Sequence, residues 1–393
     1  MKKFLLGTVV VLALVILVLP LTGLFKNVLW RMEPAPLFKN GHNLAQELGF
    51  PKDAKLLVVN SDDTAGNPTF THGILDVMPK GVVKSNSVIV HDRNDAQLAR
   101  VARIAHQHPD WGFGVHLSLT NEYQLRYPWS PVLPKEQVPS LYNAKGLAWE
   151  KISEVMQFVN PEEVKKEFIA QIQKAMDAGI KVDHIDSHMG TYYVQSAFNK
   201  NQSNVKSNSS ALLEAAIFAA NHFKLPMTVN TFDRSAQKSI QLLDSMNIIR
   251  PDTFFGFYEL EEMNNHLSYS GPDFIKFVTA WVVRHAFGFE LPYENTPHHM
   301  EDVKVRMEIY QQALLNIAGP GLNHFFMHAA SEQADDVVIP SGNNHPEGVD
   351  KIVRQGDTSV WSSEQMKNFL REHDFIVINY SDILKIQRKW QRP

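Results

Sequence analysis

Carboxylates and imidazoles gather where apolar runs of the chain end. Asp62-Asp63 follows the run Lys55–Ser61, His116 lies in Gly112–Leu119, His184, Asp186 and His188 fall at the end of a run beginning at Val182, and His328 closes 323–329. Carboxylate and imidazole together form a mixed oxygen and nitrogen donor set, suited to a hard or borderline divalent ion. Such an ion lowers the pKa of a bound water and polarises a carbonyl, which is the chemistry of hydrolysis. His184 and His188 share one face if the run is a strand. At about 3.3 Å rise per residue they start roughly 13 Å apart, so a single metal takes one of them, and a site beyond the strand end takes His188. Neighbouring side chains on a strand point to opposite faces, so Asp62 and Asp63 are expected to play different roles unless the chain turns sharply there. Tyr123, Tyr127 and Trp129 offer flat rings that could stack on a sugar, or could simply pack an inserted loop.

These residues need a frame that brings strand ends together. Strand patterns at 55–61, 82–90, 112–119, 182–186, 226–230, 323–329 and 375–379 alternate with helical ones. The helices read near 94–108, 160–179, 210–223, 235–246, 272–286, 300–317 and 363–373. Asn160-Pro161-Glu162-Glu163 is a helix start, with a capping residue, a first-turn proline and acids at the positive dipole end. Such alternation predicts an α/β fold with a parallel sheet covered by helices, open or closed into a (β/α) barrel, and active sites then form at the C-terminal strand edge. Residues 121–150 and 196–210 read as insertions.

Composition narrows the partners. Lys and Arg total 38 against 42 Asp and Glu, a net charge of −4; no basic footprint for nucleic acid is present. With no cysteine, thiolate metal sites, a cysteine nucleophile and disulfides are excluded. Lys2-Lys3 precedes an uncharged run, Phe4–Phe25, whose helical length of roughly 33 Å matches a hydrocarbon core of about 30 Å. Residues 1–26 are therefore expected to be a signal anchor or transmembrane helix with the rest outside the cytoplasm, cleavage and secretion being the alternative. Residues 27–54 read as a linker and 55–393 as the folded domain.

Six segments then carry a resemblance: VVNSDDTAG (58–66), VVKSNSVIV (82–90), FGVHLSLTNEY (113–123), RYPWSPVLP (126–134), HIDSHMGTYY (184–193) and FFMHAA (325–330), followed by the ending around Asp357 and FIVINYSDIL. In combination they resemble the YdjC/ChbG-type carbohydrate deacetylases, relatives of the NodB-like polysaccharide deacetylases. The resemblance implies a distorted or incomplete (β/α) barrel with one divalent metal, Mg or Zn, held by Asp63, His116 and His188. It implies Asp62 as general base and His328 as acid, acting on an acetylated sugar or glycoconjugate. The rival expectations are an inactive carbohydrate-binding protein on the same scaffold and a metal-dependent hydrolase of another ester or amide.

Overall fold

The computed structural model describes residues 41–193, 209–229, 237–257, 303–332, 338–343, 345 and 347–391. The expected anchor at 1–26, the first part of the linker, nearly all of the 196–210 insertion and the helix at 272–286 lie outside these residues. Among the described residues no helix is long and apolar enough to cross a membrane.

Among the described residues seven strands form one sheet: β1 (Lys55–Thr64), β2 (Ser85–Ile89), β3 (Gly112–Leu117), β4 (Ile185–Ser187), β5 (Thr253–Gly256), β6 (Gly321–Met327) and β7 (Phe375–Val377). Every pairing is parallel, in the order β4-β3-β2-β1-β6-β5. On one side of β1, β7 lines Lys55–Leu57 and β2 takes over from Asn60. The sheet curls. Thr228 N donates to Ile185 O at 3.1 Å and Met227 N to Ile249 O at 3.1 Å, so the segment at 225–229 links β4 to the chain entering β5. The strand expected at 226–230 is thus reduced to a single bridge at Met227, because Pro226 can give no ladder donor.

Period 2 explains the two faces. Leu57 and Val59 join the large core built with the helices Asp95–Gln107, Pro161–Asp177 and Ser209–Phe223. Leu56 and Val58 point the other way, into a second cluster with Leu322, Tyr380 and Trp390. Asn60 continues that second face, so the inside of the curl is apolar low on the strands and polar at their C-terminal ends. Leu44 and Ala45 are buried in the same cluster, and Lys389 Nζ lies 2.5 Å from Glu47 Oε2. The packed body therefore begins ahead of residue 55, within the stretch expected to be linker. Helices at Pro68–Val77, Val349–Trp361 and Tyr380–Trp390, and strand β5, are further additions to the expected elements. The first of these starts as its sequence dictates: Asn67 caps Thr69 and Phe70 N at 2.9 and 3.2 Å, and Pro68 opens the first turn.

His184 belongs to this frame rather than to the chemistry. Its ring stacks on Tyr380 at 3.9 Å, its Nδ1 lies 2.7 Å from Asp183 Oδ1, and a side chain on Gly114 would meet the ring at 2.4 Å. His324 is also structural, with Nδ1 2.8 Å from the Tyr380 hydroxyl. Burial drives its pKa down to about 3, only partly opposed by Asp186. As pH falls through 6.5 the unfolded chain takes up a proton on this residue and the folded chain does not, so stability is full above 6.5 and lost below it. His324→Gln should flatten the fall in stability between pH 6 and 5 by about 1 kcal/mol per pH unit, read from urea midpoints. Parallel pH slopes in the two proteins would refute this assignment.

Candidate active site

The C-terminal ends of β1, β3, β4 and β6 carry Asp62-Asp63, His116, His188 and His328 to one edge of the sheet. β1 does not end as a regular strand. Its register with β2 shifts between Ser61 and Thr64, and Asp63 sits at φ 67°, in the left-handed region. This bulge breaks the alternation, so both adjacent aspartates face the same cluster. Met189, just after His188, also has a left-handed φ of 50° and turns the chain away as soon as the imidazole has been delivered.

Asp63 is the hub. Its Oδ1 lies 3.0 Å from His188 Nδ1 and 3.3 Å from His116 Nε2. Its Oδ2 accepts from Arg354 Nη2 at 2.5 Å. The outer nitrogen of each histidine meets a second carboxylate: His116 Nδ1 lies 2.7 Å from Asp186 Oδ1, and His188 Nε2 2.9 Å from Glu122 Oε2. Asp62 Oδ1 accepts from Asn60 Nδ2 at 2.7 Å, and the same amide lies 3.1 Å from Asp186 Oδ2 and 3.1 Å from Ser87 Oγ. His328 closes β6, where its N–H donates to Asp357 Oδ2 at 2.9 Å. Arg354 and Asp357 lie three apart on one helix, so a single face of Val349–Trp361 braces both Asp63 and His328.

Among the described residues two sets of side chains could hold an ion, Asp63–His116–His188 and Asp62–His116–Asp186. Donor chemistry separates them. In the second set the amide of Asn60 already stands between the two carboxylates, and its N–H donors would face a cation. In the first, each imidazole has one nitrogen committed to an outer carboxylate and the other turned to Asp63 Oδ1. That is the usual arrangement of metal-binding histidines. Ligand atoms about 2.0–2.2 Å from a common ion sit roughly 3–3.5 Å from one another, the range of these separations. The first set fits a divalent ion.

The charges act on one another at close range. Burial alone would raise Asp63, but Arg354, His188 and the hydrogen bonds from both histidines hold it well below the ordinary carboxylate range. Burial works against protonation of His188, yet Glu122 and Asp63 outweigh it and lift the ring to about 9. Burial opposes His116 too, and Asp186 and Asp62 raise it in the same way. Asp62 is pushed up by burial and then by Asp186 and Asp63, with His116 opposing. His328 is pushed down to about 3 by burial, and the cations of Arg354, His116 and His188 add to the effect against Asp63. Its ring is therefore neutral at rest.

The expected stacking platform is different. Tyr123 and Trp129 are 1% and 2% exposed, packed with Phe70, Ile89 and Ile339. Trp129 is covered by the His91 ring at 4.9 Å, and the Tyr123 hydroxyl accepts from Arg354 Nη2 at 2.8 Å. Of the three, only Tyr127 keeps partial exposure. Burial decides the role of these aromatic residues: they fill space behind the site, and Tyr123 helps hold Arg354. Glu122, Arg354 and Asn60 are the participants that reading the sequence passed over. Glu122 lies in a stretch without periodicity, and Arg354 was detectable only by its helical spacing from Asp357.

The YdjC-like protein family matches residues 56–372, which span every residue of this cluster. The chain belongs to the YdjC-like family. Among its relatives, a carbohydrate deacetylase of Enterococcus faecalis (strain ATCC 700802 / V583) is 32% identical over 210 residues, 52% of this chain and 70% of that protein. A carbohydrate deacetylase of Brevibacillus brevis is 34% identical over 132 residues, 34% of this chain and 48% of its own length. The solved structure of a putative cellobiose-phosphate cleavage protein of Enterococcus faecalis V583 superimposes with a TM-score of 0.56 at 22% identity. It covers 84% of this chain and 99% of the other. That likeness supports the fold; Asp62, Asp63, His116 and His188 of this YdjC-like chain all lie within the matched range.

Proposed function

We propose that this YdjC-like protein is a metal-dependent hydrolase that removes acetyl groups from an acetylated sugar or glycoconjugate. The observation that carries the reading is the convergence of Asp63 Oδ1, His116 Nε2 and His188 Nδ1, with an outer carboxylate behind each ring. The deacetylase names of the relatives support the substrate class. These three residues would hold one divalent ion, magnesium or zinc. Bound there, the ion would supply Lewis acidity, lowering the pKa of a water and polarising the acetyl carbonyl.

The chain's own groups move the protons. Asp62 accepts the proton of the attacking water; Asn60 fixes its Oδ1 and so aims the carboxylate. Burial, Asp186 and Asp63 push its pKa up, and a divalent ion held beside it would favour the ionised form that a base needs. His328 hands a proton to the departing nitrogen or oxygen. A ring whose pKa is about 3 holds no proton between turnovers and is a strong donor once it gains one, so the proton must reach it within the turnover. The oxygen of one water bonds to the acetyl carbon as that carbon's bond to the sugar nitrogen or oxygen breaks, acetate leaves, and the departing amine or alcohol takes the proton.

Acetate release from a panel of N-acetylated and O-acetylated sugars tests the reading. Release from at least one class is expected. Binding of the same sugars with no acetate formed would favour an inactive binding protein instead.

A further inference from the structure

We propose that Glu122 is a positioning residue that makes His188 present Nδ1, rather than Nε2, to a divalent cation, while Asp186 makes His116 present Nε2. The two ligand histidines would then bind the ion through opposite nitrogens. The inference rests on the metal reading of the Asp63–His116–His188 set.

The ring of His188 is spanned by acceptors at both ends. Its two nitrogens lie 3.0 Å from Asp63 Oδ1 and 2.9 Å from Glu122 Oε2. With a cation beside Asp63 Oδ1, Nδ1 would give up its hydrogen to bind it, while the nitrogen facing Glu122, a carboxylate that accepts and cannot donate, would keep its own. Turning the ring over would replace both nitrogens by carbons at these contacts. His116 shows the reverse assignment for the same reason: Asp186 Oδ1 stands 2.7 Å from Nδ1, leaving Nε2 toward Asp63.

Glu122 is itself held. Its carbonyl accepts from Asn343 N at 2.7 Å, and its neighbours are fixed by Asn121 N donating to Trp149 O at 2.7 Å and Tyr123 N to Asn121 Oδ1 at 2.9 Å. The residue is buried, so its position is set by the loop after β3 rather than by solvent. An outer carboxylate on a ligand histidine commonly contributes 10–100-fold in metal affinity.

The experiment is a competition titration of the purified full-length protein with zinc against a chelator, for wild type, Glu122→Ala and Glu122→Gln. Glu122→Ala should weaken zinc binding about 10–100-fold. Glu122→Gln keeps an acceptor oxygen and should recover most of the loss, a rescue that a purely packing role would not predict. Unchanged zinc affinity in Glu122→Ala overturns the proposal. Should that variant not fold, nitrogen-15 imidazole shifts of zinc-loaded wild type decide: His188 bound through Nδ1 supports the assignment, and His188 bound through Nε2 refutes it. The zinc readouts are independent of acetate release, so this inference can stand if the substrate class is wrong, and can fall if it is right.

Discussion

His116→Ala and His188→Ala should each lose most of the bound metal and with it most of the turnover. Each removes one of three donor atoms, and each also strands a buried carboxylate: Asp186 at 2.7 Å from His116, Glu122 at 2.9 Å from His188. Loss of an outer partner alone costs about 10–100-fold in affinity, so loss of a ligand should exceed it. Metal content after dialysis, read alongside thermal stability, checks the result. Stoichiometric metal in both variants would remove the assignment. His184→Ala serves as the contrast. That ring packs between Asp183 and Tyr380, so its removal should lower stability and leave the metal in place.

Asp62→Asn should keep the metal while turnover falls about 10²–10⁴-fold, the usual worth of a general base. The substitution is nearly isosteric and can still meet Asn60, but it cannot accept a proton. Asp63→Asn should instead weaken metal binding, with turnover partly restored at high metal concentration. The neutral amide of that variant would also weaken the buried contact with Arg354, so a loss of stability is expected there and not in Asp62→Asn. Turnover measured across a metal titration separates the two. Metal lost from Asp62→Asn and kept by Asp63→Asn would exchange their roles.

The strand pattern alone made the sheet edge legible. Apolar runs at 55–61, 112–119 and 323–329 became β1, β3 and β6, and the rise of a strand was enough to favour His188 over His184 at the cluster. What was not legible has a common physical cause. Asp62 and Asp63 looked destined for opposite faces because alternation is the default, whereas a left-handed residue and a register shift bring them together. Such a bulge depends on the loop that follows, not on the strand's own pattern. Glu122 and Arg354 act through contacts 66 and 291 residues away along the chain, which no local window contains. The roles of Tyr123 and Trp129 stayed open for a related reason. An aromatic residue in an irregular stretch suits a sugar face and a core equally, and only the packing of Phe70 and His91 against them decides.

A divalent ion held by Asp63, His116 and His188 is proposed to drive acetyl hydrolysis, and the roles of Asp62 and His328 depend on it. The most direct test is acetate release from an acetylated sugar by the purified protein, before chelation, after chelation and dialysis, and after magnesium or zinc is returned. Release should stop on chelation and resume with one of the two ions. Acetate release that continues at its original rate in protein stripped of metal would contradict the proposal.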